Sequence, residues 1–402
     1  MIWMSTITTG WGVISMARID HTFASRIEMF GGIDFTACYN CGHCTAVCPL
    51  VEENASFPRR MLRYTILGME EDIQSSLDPW LCYYCGDCSE TCPRQSNPGE
   101  IMMSLRRYLT SVYDWTGFSR RFYTSRKWEF GSIAAVAAVV VLLFALFLRP
   151  TADPSGLINA DGGVKINSFV EGMSSETFVS VIEIGDWVMA AIVSFFLLSN
   201  IFNMYLKVVV RNRKVSPPLS LYVKEAWNLV YHFATQIKLS KCSDRTYWGL
   251  HWLLMSGYTI MFTMIVLFLP WFQVEKIHPI YHPQRFLGYY ATFGLLLGLI
   301  VWSVQRIRKS GEKHRYSHST DWLFLVMLFL TTLTGILVHI FRISGMVPQT
   351  YYTFVIHLAI LVPMLVVEVP FSKWSHLAYR PFATYFYNLI NSARMLEEKK
   401  KK

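Results

Sequence analysis

Eight of the nine cysteines occur in two copies of one pattern, C-x2-C-x2-C-x3-C-P. The first copy comprises Cys38, Cys41, Cys44 and Cys48, and the second comprises Cys82, Cys85, Cys88 and Cys92. This spacing is typical of a pair of [4Fe–4S] clusters, in which the fourth cysteine of each copy binds the other cluster. The first cluster is therefore predicted to take Cys38, Cys41, Cys44 and Cys92, and the second Cys82, Cys85, Cys88 and Cys48. Such centres carry single electrons.

Two other uses of cysteine fit this pattern less well. A disulfide framework belongs to oxidising compartments, whereas cluster ligands must stay reduced. A zinc ribbon needs only four ligands per site and does not require the closing x3-C-P.

The segments Phe57–Thr65 and Met69–Ser76, between the two copies, have a helical rather than a stranded pattern. The sequence therefore predicts a helical two-cluster domain in a reducing compartment.

The rest of the chain has the composition of a membrane protein. Over the whole chain, only 16% of residues are charged, 15% are aromatic, and the mean hydropathy is +0.30. Crossing the hydrocarbon layer takes roughly 20 mostly apolar residues. Six segments of this kind are present, and buried core helices are a poor alternative for so many: Phe130–Leu148, Trp187–Leu206, Leu250–Leu269, Phe286–Val304, Trp322–Phe341 and Tyr351–Phe371.

The placement of lysine and arginine predicts the orientation. Most of the 37 basic residues lie before the first span, in the loops 207–249 and 305–321, and after residue 371. With six spans these segments share one side, which the positive-inside rule assigns to the cytoplasm together with both termini. The same bias explains the net charge of +9 without nucleic acid as a partner. No convincing signal peptide opens the chain, and no glycine-rich phosphate loop or dinucleotide motif occurs in it.

Histidines at membrane depth are candidate functional residues because ionisable groups are expensive there. Neutral imidazole is a common axial ligand of haem iron. Sorted by depth, the histidines form one pair at each membrane face, which predicts two b-type haems. The alternative is that each is an interfacial or hydrogen-bonded histidine without haem. The pairs are His251 with His376 on the cytoplasmic side, and His339 with His357 on the outer side.

With these motifs, the chain resembles the family of membrane C subunits of the quinone-interacting membrane-bound oxidoreductase of sulfate reducers. That family joins a ferredoxin part of the heterodisulfide reductase type to a cytochrome b of the nitrate reductase gamma type. The resemblance covers residues 30–110 and 185–380. It implies two b haems, menaquinone as substrate and soluble flavin/iron–sulfur partner subunits, with electrons passing towards adenylylsulfate reductase.

The resemblance also bears on the haem ligands. The cytochrome pattern places two histidines on its second span and two on its last; His251 matches the first of these, and His357 and His376 match the last two. Met261 stands where the remaining histidine is expected, so His339 is predicted to replace it. His357 and His376 are 19 residues apart, which leaves them about 100° apart on a continuous helix. Prolines between them could bend the chain to compensate.

The sequence thus predicts a mainly α fold, with a helical two-cluster ferredoxin domain followed by a six-span membrane cytochrome b domain. The expected function is a membrane electron-transfer subunit of a quinone-linked oxidoreductase. Two alternatives stay open: a subunit of a heterodisulfide reductase or sulfite-reductase-associated complex, and a haem-free iron–sulfur sensor or transporter. The predicted parts are an N-terminal extension (1–29), the ferredoxin-like domain (30–129), the first span with its outer loop (130–185), the five-span cytochrome (186–380) and a basic cytoplasmic tail (381–402).

Overall fold

The computed structural model describes residues 19–51, 57–151, 155–211 and 216–401. Most of the predicted N-terminal extension lies outside these ranges. Within them the chain is helical, and its β structure is limited to two isolated bridges, Pro150 with Val170 and Ile158 with Val164. The prediction of a mainly α fold is therefore confirmed.

The N-terminal part, which we call the head (residues 19–124), is built from short helices around one long one. The long helix, Pro98–Tyr113, is buried along nearly its whole length and begins with proline, whose fixed φ suits the first helical turn. Its neighbours pack aromatic side chains such as Phe23 and Trp80 against it. These neighbours are Phe23–Glu28, His43–Ala46, Arg59–Leu67, Glu70–Gln74, Asp78–Leu81, Asp87–Glu90 and Phe118–Thr124.

Six further helices are long and apolar enough to cross a membrane, as predicted. Spans 1 and 2 bury almost none of their apolar residues inside the protein; Phe195, for example, is 59% exposed. A surface of this kind is stable against lipid but not against water. In chain order, spans 1 to 6 are Arg126–Phe147, Ser175–Val210, Arg245–Val266, Pro283–Ile307, Ser319–Ile343 and Val347–Phe371.

Span 6 is interrupted before it reaches the head side of the membrane part. The α-helix Val347–Pro363 continues as a π-helix over Met364–Glu368 and a short helical turn over Val369–Phe371. Ser372 then has an extended backbone, and His376 begins the next helix. His357 and His376 therefore do not share a continuous α-helix, so the angular mismatch expected on one helix does not apply to them.

The final helix, His376–Lys401, joins the head to the membrane part. Tyr379, Ala383 and Phe386 enter the apolar core of the head, together with Ile201 and Met204 near the end of span 2. The helix also packs on an amphipathic helix, Leu219–Thr235, that connects spans 2 and 3. Much of the segment predicted as a cytoplasmic tail therefore has a packing role.

Candidate functional site: two cysteine groups and two membrane cavities

The two cysteine motifs share one local backbone conformation. In each, the residue before the second cysteine has a left-handed backbone: Asn40 at φ 62° and Tyr84 at φ 55°. The glycine after that cysteine does too, Gly42 at 88° and Gly86 at 97°, and it leads into a one-turn helix that carries the third cysteine. Glycine adopts this conformation without a Cβ clash, which explains its presence in both C-G-x-C sequences.

The fold brings each fourth cysteine to the other motif. Cys48 lines a small cavity with Cys82, Cys85 and Cys88. Cys92 lies within electrostatic reach of Cys44 in the first motif. The crossed assignment, in which Cys48 binds the second cluster and Cys92 the first, requires this proximity and stays a prediction.

Backbone and hydroxyl donors surround the sulfurs. The amides of Asn40 and Tyr84 donate to the Sγ atoms of Cys38 and Cys82, each over 3.3 Å. Hydrogen bonds of this kind set the reduction potential of iron–sulfur clusters. Burial raises the pKa of the Cys48 thiol to about 12, so cluster binding there would displace a proton.

The described cysteines do not form a site for a single metal ion. Among the residues that the structure describes, no three cysteine, histidine, aspartate or glutamate side chains converge closely enough to hold one ion. A tetrahedral zinc site needs such convergence. In a [4Fe–4S] cluster each thiolate binds a different iron atom, so the sulfurs stand further apart.

An internal cavity of about 140 Å³ lies between the head and spans 3, 4 and 5; we call it the inner cavity. His251, in the first two turns of span 3, and His376, at the start of the final helix, both line it. So do Tyr83 and Tyr84, which stand between Cys82 and Cys85. The structure thus places the two histidines predicted for the cytoplasmic-side haem together, beside the second cysteine motif.

Both of these histidines have one ring nitrogen fixed by a hydrogen bond. The Nδ1 of His251 bonds to the side-chain oxygen of Gln236, and the Nδ1–H of His376 donates to the carbonyl of Lys373 over 2.5 Å. Since both partners are acceptors, Nδ1 carries the proton and the Nε2 lone pair stays free. Neither Nε2 has a hydrogen-bond partner among the described residues. This is the arrangement of histidines that bind metal through Nε2.

Cationic side chains line the same cavity. Arg306, Arg380 and Lys373 reach it from span 4, the final helix and the segment after span 6. Arg380 lies 3.6 Å over the ring of Tyr83, and one of its terminal nitrogens is buried without a hydrogen-bond partner among the described residues. A haem carries two propionate groups that need such cations. The residues of the inner cavity therefore fit a haem held by His251 and His376.

A buried chain of ion pairs connects this region to the head. Tyr84 donates to Glu100, Glu100 pairs with Arg107 over 3.0 Å, and Arg107 pairs with Asp321 of span 5 over 3.2 Å. Asp321 in turn pairs with Lys373 over 2.6 Å. Burial lowers the pKa of Lys373 to about 8, although Asp321 opposes the shift. The network ties the second cysteine motif to the residue whose carbonyl holds His376.

The second cavity, of about 290 Å³, lies on the far side from the head; we call it the outer cavity. It is lined mostly by apolar side chains of spans 3 to 6, and both His339 and His357 face it. The hydroxyl of Thr334 donates a hydrogen bond to the Leu330 carbonyl, so it can only accept from His357. The Nδ1–H of His357 therefore donates to this hydroxyl over 3.0 Å. Among the residues that the structure describes, the Nε2 of His357 has no hydrogen-bond partner, as in the inner pair.

His339 has a different environment. The hydroxyl of Tyr289 donates to its Nε2 over 2.9 Å, and Arg285 lies 3.5 Å from the same nitrogen. Arg285 also donates to the Tyr289 hydroxyl, which leaves that hydroxyl's proton for His339. The structure places His339 and His357 in one cavity, and their role as a haem pair stays a prediction.

Several of these residues carry no signal in the sequence. Gln236 and Thr334 orient histidines 15 and 23 positions away in the chain. Asp321 and Arg107 are 214 positions apart. The excess of lysine and arginine on the predicted cytoplasmic side indicated that basic residues lie near the inner cavity. It did not show which of them line the cavity.

Comparisons with known proteins bear on the head. Residues 34–96 match the family of 4Fe-4S dicluster domains. A protein of Archaeoglobus profundus that is similar to the heterodisulfide reductase C subunit is 29% identical over 97 residues, which are 24% of this chain and 52% of that protein. The C subunit of the H(2):CoB-CoM heterodisulfide,ferredoxin reductase of Methanothermobacter marburgensis is 32% identical over 69 residues, 17% of this chain and 37% of that protein. The chain thus spans about half or less of these relatives. No solved structure matches it.

These findings confirm the iron–sulfur part of the sequence analysis. The chain carries an N-terminal 4Fe-4S dicluster domain that is related to the C subunits of heterodisulfide reductases. That domain is joined to six helices suited to span a membrane. The haems, the quinone and the particular complex are not covered by the comparisons.

Proposed function

We propose that the protein is a membrane electron-transfer subunit of a quinone-linked oxidoreductase. It would pass electrons between menaquinol or menaquinone, two b haems and two [4Fe–4S] clusters, and on to soluble flavin/iron–sulfur subunits. Its place would be the cytoplasmic membrane, with the head and both termini in the cytoplasm. When bound, the clusters and haems supply one-electron redox chemistry.

One observation carries this proposal: the inner cavity is lined both by a histidine pair with free Nε2 atoms and by the second cysteine motif. His251 and His376 would hold the inner haem, and Arg306, Arg380 and Lys373 would neutralise its propionates. The stacked pair Tyr83–Arg380 connects the cavity wall directly to the chain between Cys82 and Cys85. A cofactor in this cavity would therefore lie next to the second cluster.

The outer cavity supports the quinone part of the proposal. His357 would hold the outer haem, with His339, the partner predicted from the sequence, or another residue of the cavity as second ligand. The polar group Arg285–Tyr289–His339 faces an otherwise largely apolar space. A quinone pairs an apolar body with carbonyl oxygens that accept hydrogen bonds, and pockets for such molecules combine these two features.

The resemblance to the membrane component of the sulfate reducers' complex favours adenylylsulfate reductase as the final partner. A second assignment has its own support, since the relatives of the head are subunits of heterodisulfide reductases. The redox chemistry would be the same and the soluble partner different. Proteins that co-purify with the chain at native abundance would separate the two assignments.

The decisive test is haem quantification on the purified full-length chain, with a reduced-minus-oxidised spectrum. The expected result is about two b haems per chain, and about one in His376→Ala. The matched control is His21→Ala, which removes an exposed histidine of the head and should leave both haems. A chain without haem would overturn the cytochrome function and favour an iron–sulfur sensor or transporter.

A further inference from the structure

The walls of the outer cavity bear on which residues can face each other across a haem. Spans 5 and 6 pack against each other, and a Cβ at Gly335 of span 5 would lie 3.3 Å from the ring of His357. His339 follows Gly335 by four residues, so it lies one turn further along the same face of span 5. His339 and His357 therefore belong to one wall, whereas axial ligands approach opposite faces of a haem.

The hydrogen bonds lead to the same distinction. Among the described residues the Nε2 of His357 has no hydrogen-bond partner, whereas that of His339 accepts a hydrogen bond from Tyr289 and lies beside Arg285. To bind iron through Nε2, His339 would have to lose its hydrogen bond with Tyr289 and move away from Arg285. It is already satisfied as a hydrogen-bonding residue.

Met261 lines the outer cavity from span 3, which packs chiefly on span 4, whereas His357 belongs to span 6, which packs chiefly on span 5. Its thioether has no hydrogen-bond partner among the described residues, whereas the sulfurs of Met255 and Met364 accept from Thr259 and Thr331. Met261 follows His251 by ten residues, which corresponds to about 15 Å along an α-helix. Span 3 would therefore offer one ligand to each cavity, and the chain from residue 357 to 376 would offer the other.

We propose that Met261 and His357 are the axial ligands of the outer haem, and that His339 is a hydrogen-bonding residue of the outer cavity. This inference rests on the proposed function. The neutral thioether donates a sulfur lone pair to iron and releases no proton. Methionine–histidine ligation raises the reduction potential of haem, so the outer centre should have a higher potential than the bis-histidine inner one.

The test compares three variants of the full-length chain by haem content, near-infrared and EPR spectra and redox titration. Met261→Leu should remove the methionine–iron signature and convert one haem to a high-spin form, with the other unchanged. Met261→His should keep two low-spin haems and lower the potential of one. The control Met264→Leu changes a buried methionine one turn away and should alter neither.

The fourth variant, His339→Gln, separates the two ligand assignments. It should keep both low-spin haems, since it removes only a hydrogen-bond acceptor. Loss of the outer low-spin haem in His339→Gln, with Met261→Leu unaffected, would overturn the inference in favour of the His339–His357 pair. A wild-type chain with the inner haem alone would also overturn it while leaving the link between haem and cluster intact. A chain with no haem would instead refute the proposed function.

Discussion

The two membrane cavities use the same residue type in different surroundings. The inner cavity borders the head and collects cationic side chains around two histidines whose Nδ1 atoms are both held by acceptors. The outer cavity is mostly apolar, and of His339 and His357 only His357 has an Nε2 without a hydrogen-bond partner among the described residues. The contrast shows that the chemistry of a membrane histidine depends on the partner of its other ring nitrogen.

The difference has a physical origin in the position of each cavity. At the head side, charged groups can be neutralised by ion pairs that reach into the head, as Asp321 is by Arg107 and Lys373. The outer cavity lies among apolar spans, where an unpaired charge is far more costly. The inner cavity therefore offers several cations to an imidazole-ligated haem with two propionates, whereas a haem in the outer cavity would rely on the fewer cations there, such as Arg285 and Arg342.

The largest effect is expected from Cys48→Ser, because Cys48 is the predicted fourth ligand of the cluster beside the inner cavity. The second cluster should be lost or converted while the first stays, and Cys92→Ser should do the reverse. EPR of the reduced variants distinguishes the clusters. Haem reduction by a menaquinol analogue should survive in both variants. Loss of the first cluster in Cys48→Ser would contradict the crossed assignment.

Asp321→Asn tests the buried network that distinguishes the inner side from the outer. Lys373 would lose its counter-charge, and Arg107, whose side chain is only 2% exposed, would keep Glu100 as its one remaining ion-pair partner among the described residues. Breaking a buried ion pair on one side costs about 3–5 kcal/mol. Thermal unfolding in detergent measures the loss.

The control for this variant is Glu312→Gln, which breaks the exposed pair with Arg315 and should leave the unfolding temperature nearly unchanged. Equal effects of the two variants would mean that the buried network contributes little to stability.

Gln236→Asn and Thr334→Val test the two cavities one at a time. Gln236→Asn shortens the side chain whose oxygen accepts from His251, and Thr334→Val removes the hydroxyl that accepts from His357. Loss of such a partner typically weakens metal-site affinity by about 10- to 100-fold. Asparagine is chosen because Gln236 has a left-handed backbone that it tolerates.

The measurement is haem transfer to an acceptor apoprotein, followed separately for the two centres. Gln236→Asn should speed release from the inner cavity alone, and Thr334→Val from the outer cavity alone. Release of the same haem in both variants would show that the cavities do not hold separate centres.

The smallest effect is expected from Cys242→Ala, near the head side of span 3. The Cys242 thiol lies near Cys85, and hydrogen bonding from it lowers the pKa of the Cys85 thiol. A donor to a cluster sulfur stabilises the reduced, more negative cluster. Its loss should lower the reduction potential of the second cluster without changing the first, as measured by redox titration with EPR. Cys242→Ser keeps a donor, so a similar drop in that variant would argue against the hydrogen bond as the cause.

The local chemistry of this protein follows from the sequence alone. The spacing and glycines of the two cysteine motifs specify a repeated turn, so the dicluster domain could be predicted without the fold. The length and composition of six segments specify six membrane-spanning helices, because the hydrocarbon layer imposes one length on all proteins. The depth of each histidine follows from its position along a span.

Which groups meet depends on how the helices pack. The orientation of His251 depends on Gln236, which directly follows the helix Leu219–Thr235, and that of His357 depends on Thr334 of span 5. The hydrogen bonding of His339 depends on Arg285 and Tyr289 of span 4. Span 6 ends at Phe371, after a π-helix, and His376 therefore lies outside it. No sequence motif predicts this π-helix. These features arise from contacts between distant segments, and such contacts exist only once the tertiary structure has formed.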